Sequence, residues 1–126
     1  MIFIYTVFPN KEEAKKIAKV ILEKKMAVCV NMWSVGSMYL WEGKVKEGEE
    51  VVCVFKTLKQ NYKRIKKEIE LKHSYEVPFI ASVKINQING PFYHYLKKNV
   101  KRYYGKKSSE AKPNLRNPVI RRQLDR

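Results

Sequence analysis

The chain opens on an almost continuous apolar run, Ile2-Phe3-Ile4-Tyr5-Thr6-Val7-Phe8, rich in β-branched and aromatic side chains and too short for a buried helix. It predicts a strand, and apolar character on both faces predicts a central one. Pro9-Asn10 ends it. The period then lengthens: Ala14, Ile17, Ala18, Ile21 and Leu22 follow the i, i+3, i+4, i+7, i+8 stripe of a helix that packs on a sheet. Asn10 with Glu13 three residues on has the form of a capping box, and Lys24 and Lys25 suit the far end.

From Ala27 to Thr57 two long arms of β-branched and aromatic residues flank a charged break at Lys46 to Glu50, with Glu42-Gly43 and Glu47-Gly48 as turn candidates. This predicts an antiparallel hairpin. Its first arm far exceeds the roughly 5 to 6 residues of an ordinary strand, so a bulge or kink is expected over Ser34 to Ser37, around Gly36. An arm that long overhangs its own domain. Met32, Trp33, Tyr39 and Trp41 are then expected on an exposed edge that pairs with another chain.

A second helix is predicted over Leu58 to Lys72, with Leu58, Tyr62, Ile65 and Ile69 as its stripe and Thr57 with Gln60 as its cap. Val77 to Ile85 reads as a fourth strand, with Pro78 at its start or on an edge. Asn89-Gly90-Pro91 opens a third helix bearing Phe92, Tyr95, Leu96 and Val100. Beyond Lys101 the pattern fades. The order β-α-β-β-α-β with a terminal helix predicts an α+β, ferredoxin-like sandwich: a four-stranded antiparallel sheet, helices on one face and a long β2-β3 hairpin. The expected division is one domain over 1–100 and a basic, mobile tail over 101–126.

Composition narrows the function classes. No run of about 18 apolar residues is present, and the first residues lack a basic n-region, so no membrane contact and a cytoplasmic location are expected. Cys29 and Cys53 are too few for a secreted disulfide framework and read as small buried hydrophobes. The formal net charge is +15. Residues 1–100 carry 18 Lys and Arg against 10 Asp and Glu, and residues 101–126 carry 9 against 2. Such a tail favours a weak anionic partner, nucleic acid among them.

His73-Ser74-Tyr75-Glu76-Val77-Pro78, Tyr39-Leu40-Trp41-Glu42-Gly43-Lys44, Cys29-Val30-Asn31 and Lys56-Thr57 together resemble the CutA family of divalent-cation tolerance proteins, over roughly residues 3–100. The resemblance implies a ferredoxin-like homotrimer joined by pairing of the long hairpin and similar to PII signalling proteins. It implies a role in tolerance of copper and other divalent metal ions, with no settled enzymatic activity, and the chain is expected not to be an enzyme. It places a ligand cleft between subunits near Tyr39, Trp41, Lys56, Tyr75 and Glu76, with His73 as the metal residue. Copper ligands proposed in bacterial members are a Cys near the end of the first strand and two consecutive His; Thr6 (or Tyr5) and Lys72-His73 stand there, so only His73 carries over.

Residue chemistry leaves alternatives open beside that implication. Two His and two Cys make no four-ligand zinc site in one chain, although threefold symmetry would multiply the donors. His73 reads as a loop histidine bonded near Tyr75 and Glu76, or as a shared ligand. His94 reads as part of a solvated face. Tyr39 and Trp41 suit interface packing as well as a ligand platform. Lys56 suits an anionic ligand, or a salt bridge with Glu76. An acylphosphatase-like hydrolase lacks its Arg in the loop after strand one, and an RNA recognition motif lacks its basic-Gly-aromatic third strand.

Overall fold

The computed structural model describes residues 1–103; positions 104–126, and with them most of the expected tail, lie outside the described residues. Four strands and three helices follow in the order β1 (Ile2–Phe8), α1 (Lys11–Glu23), β2 (Cys29–Trp41), β3 (Lys44–Thr57), α2 (Tyr62–Lys72, entered by a 3₁₀ turn at Lys59–Asn61), β4 (Ile80–Lys84) and α3 (Gly90–Asn99). The strands lie in the order β2-β3-β1-β4, all pairs antiparallel, which is the α+β ferredoxin-like arrangement. β1 is central, as its two-faced apolar character predicts.

One sheet face carries Ile2, Ile4 and Phe8 of β1 with Val51, Cys53 and Phe55 of β3. The α1 stripe Ala14, Ile17, Ala18, Ile21 and the α2 residues Ile65 and Ile69 close over it. Thr6 belongs to this buried set, and its hydroxyl finds no hydrogen-bond partner among the described residues. The opposite face bears Tyr5, Val7, Val52 and Trp33.

Asn10 caps α1 by accepting from the Glu13 N–H at 2.8 Å. The reciprocal half of the capping box is absent, because the Glu13 carboxylate turns to Ser74 N–H at 3.3 Å. Thr57 does not cap α2 either: its hydroxyl donates to the Met26 carbonyl at 2.5 Å. The fourth strand begins at Ile80, three residues later than Val77.

The hairpin departs most from expectation. No bulge interrupts it. The register runs unbroken from Cys29↔Lys56 to Trp41↔Lys44, straight through Gly36↔Glu49. Only Glu42-Gly43 turns the chain, with φ of 52° and 77°, the two left-handed residues of a tight hairpin turn. Glu47-Gly48 and the expected charged break at 46–50 lie inside β3. β1 supports β3 only as far as Phe8↔Val51, so the seven pairs from Val35↔Glu50 to Trp41↔Lys44 project beyond the sheet. At about 3.3 Å per residue that ribbon reaches roughly 23 Å. Cys29 pairs with Lys56 on the open face, while Cys53 points to the helices, so the two thiols cannot meet.

The packed chain continues past Val100. Lys101 N–H donates to the Lys25 carbonyl at 2.8 Å, and the Tyr103 hydroxyl donates to the Lys24 carbonyl at 2.6 Å. Asn61, wholly buried, holds this segment from below.

Candidate functional site

His73 ends α2 and is the pivot of the site. Its ring is buried, stacked on Phe8 with centroids 4.8 Å apart. Nε2 lies 2.7 Å from the Val7 carbonyl, and Nδ1 accepts from Tyr75 N–H at 2.9 Å. A carbonyl can only accept and an amide can only donate, so the imidazole is neutral with its proton on Nε2. Both ring nitrogens therefore serve the backbone of this chain, which pins the loop 73–79 against the end of β1.

Burial holds the His73 pKa below its ordinary value, against the opposing pull of the Val7 carbonyl and of Glu13 and Glu50. The free imidazole of the unfolded chain titrates near 6.5, so below that pH the unfolded state binds a proton that the native ring resists. Stability is then full above pH 6.5 and declines as the pH falls through it, by up to about 1.4 kcal/mol per pH unit. Urea midpoints taken across this range are expected to show that slope, and His73→Gln is expected to flatten it. An unchanged slope in the variant would assign the dependence to other groups.

Held by His73, the loop lays Tyr75 over the open sheet face, where its hydroxyl donates to Glu50 Oε2 at 2.6 Å. Burial first, then this carboxylate, raises the phenol pKa, so Tyr75 remains a donor at neutral pH. Between loop and hairpin lies a groove of about 840 Å³. Tyr39, Trp41, Tyr75 and Glu76 line it together. His73 stands behind Tyr75, ring centroids 4.8 Å apart.

Lys56 is not brought to this groove. It lies six residues beyond Glu50 on β3, about 20 Å along the strand, with Nζ 5.4 Å from the Phe92 ring centroid. His94 is exposed on α3. Lys46, Glu50, Met38 and Phe79 line the groove without having been singled out from the sequence. Strand alternation was the available signal: once 46–50 is read as strand, Lys46 and Glu50 share a face with Val52. Among the described residues no group of three or more His, Cys, Asp or Glu is placed to hold a metal ion.

Comparison with known proteins agrees with this geometry. The family profile described as CutA1 divalent ion tolerance protein matches residues 2–99. A divalent-cation tolerance protein CutA of Thermococcus kodakarensis is 40% identical over 88 residues, 70% of this chain and 85% of that one. The crystal structure of CutA1 from Pyrococcus horikoshii superposes with a TM-score of 0.78 at 33% identity, covering 81% of this chain and 100% of that chain. The periplasmic divalent cation tolerance protein CutA of Archaeoglobus fulgidus gives 0.78 at 35% identity, over 80% of this chain and 100% of that one. On the matched profile, the identities and the shared fold, this chain belongs to the CutA1 divalent ion tolerance family.

Proposed function

We propose that the chain works as a homotrimeric binding or signalling module of the cytoplasm, without catalytic chemistry, and takes a divalent cation such as copper(II) or a small ligand in clefts between subunits. The observation that carries this reading is the projecting half of the hairpin. It forms one wall of the groove, pairs with no third strand among the described residues and leaves Leu40 76%, Met38 70% and Val45 62% exposed. A free two-stranded ribbon is marginal in water, and an apolar edge invites a neighbour. Pairing there would stabilise the ribbon and complete the groove in one step.

Relatives are named for divalent-cation tolerance, and the reading carries that property to this chain. Its donors would differ from the set proposed in bacterial members. Lys72 is committed to Glu68, and Thr6 is buried in the core. That leaves His73, which must release the Val7 carbonyl or the Tyr75 amide to ligate, and the carboxylates of Glu50 and Glu76, each multiplied by symmetry. The two free thiols, on opposite faces, suit a reducing compartment.

Calorimetric titration of copper(II) into the full chain, at moderate ionic strength, is the test. Saturable heat in a simple ratio to the trimer, weakened in both Glu76→Gln and His73→Gln, is the expected result. Heat that never saturates, or that both variants leave intact, would remove the metal from this cleft.

A further inference from the structure

We infer that the groove between the hairpin and the 74–79 loop selects an organic cation, a protonated or quaternary amine with an apolar body. This rests on the reading above that the groove is the ligand site. Its walls are aromatic and acidic together. Tyr39, Trp41 and Tyr75 bring rings, while among the described residues Glu50 and Glu76 bring two carboxylates and Lys46 one ammonium. An aromatic face is the negative end of the ring quadrupole and attracts a cation within about 6 Å. The carboxylates supply the countercharge.

The acidic wall is also built rather than incidental. Tyr75 donates to Glu50 Oε2 at 2.6 Å, and the loop that carries Tyr75 is locked by the two bonds of His73. Ring and carboxylate are thus presented as one unit, with little side-chain freedom left to lose on binding.

Other ligand classes fit less well. A hard divalent ion seeks about six oxygen donors, which the two carboxylates of one chain's groove do not supply by themselves. An anion meets both carboxylates with one lysine in its favour. A neutral apolar body gains the ring contacts and nothing from Glu50 or Glu76. The chain as a whole carries +15, so its long-range field repels a cation. Selection must come from short-range contacts, and added salt, which screens that field, is expected not to weaken binding.

Choline chloride titrated into the full-length protein, followed by calorimetry and tryptophan emission, tests the inference against the neutral alcohol in which carbon replaces the choline nitrogen. Saturable choline binding is expected, with the neutral analogue about tenfold weaker. Glu50→Gln, which keeps an acceptor for the Tyr75 hydroxyl and removes the charge, is expected to weaken choline about tenfold and to leave the neutral analogue unchanged. Equal binding of the two probes would overturn the inference, as would an unaffected Glu50→Gln protein. Sedimentation and the copper titration on the same preparation separate the levels. No choline binding by an intact, copper-responsive trimer overturns the ligand class alone; loss of both the trimer and the copper response overturns the underlying reading with it.

Discussion

On the proposed trimer, Leu40→Glu is expected to bring the sedimenting mass down from three times the 15.0 kDa chain to a single chain. Leu40 is 76% exposed and pairs in register with Val45, itself 62% exposed, on an edge strand that no other strand among the described residues covers. If a neighbour buries that pair, the leucine contributes about 2 kcal/mol, and a carboxylate in its place costs several more through desolvation. In the proposed trimer, threefold symmetry repeats the penalty at every interface. The inner half of β3, bonded to β1 from Val51 to Thr57, does not depend on the neighbour. Amide exchange should therefore accelerate over 35–50 while 51–57 stays protected. A trimer that tolerates Leu40→Glu, or a wild-type monomer, would take the hairpin out of the assembly.

Asn61→Ala is expected to cost about 2–4 kcal/mol of unfolding free energy, read from urea midpoints. The Asn61 side chain is fully buried and completely used. Its amide donates to the Met26 carbonyl at 2.9 Å and to the Lys101 carbonyl at 2.7 Å, with Thr57 Oγ1 3.3 Å from the same nitrogen, and its Oδ1 accepts from Tyr103 N–H at 2.8 Å. Met26 keeps the Thr57 hydroxyl after truncation. Lys101 and Tyr103 each lose a backbone partner, and it is these two orphaned groups that set the magnitude. The segment 101–103 should then lift from α1, and Tyr103 should lose its bond to the Lys24 carbonyl. A loss below about 1 kcal/mol would mean that water replaces the side chain without strain.

Much of the fold was legible because its determinants are local. The α1 stripe buries as its spacing predicts, and the β1 run lies at the sheet centre. The hairpin misled for a physical reason. Ordinary strand lengths reflect strands limited by the sheet around them, whereas this ribbon leaves its sheet and meets no such limit. A Cβ at Gly36 would meet nothing within 4 Å, so the glycine forces no kink. Lys46 to Glu49 are exposed, so charges there cost little, and a strand without a dry face looks like a loop. That misreading hid Lys46 and Glu50, whose alternation places them in the groove.

Tyr39, Trp41, Tyr75 and Glu76 were named from their motifs, and the structure gathers them on one groove. Lys56 shares a strand with Glu50 yet stands too far along it. Asn61 gave no signal: between Gln60 and Tyr62 it reads as the polar start of a helix, and its backbone partners lie about 35 to 42 residues away. The element order, the α1 stripe, the hairpin turn at Glu42-Gly43 and the family motifs were determined by the sequence itself, because periodicity and turn chemistry act over a few neighbouring residues. The unbroken register, the burial of Asn61 and the occupation of both His73 nitrogens were decided only by tertiary structure, because each depends on backbone groups that the chain brings together from distant positions.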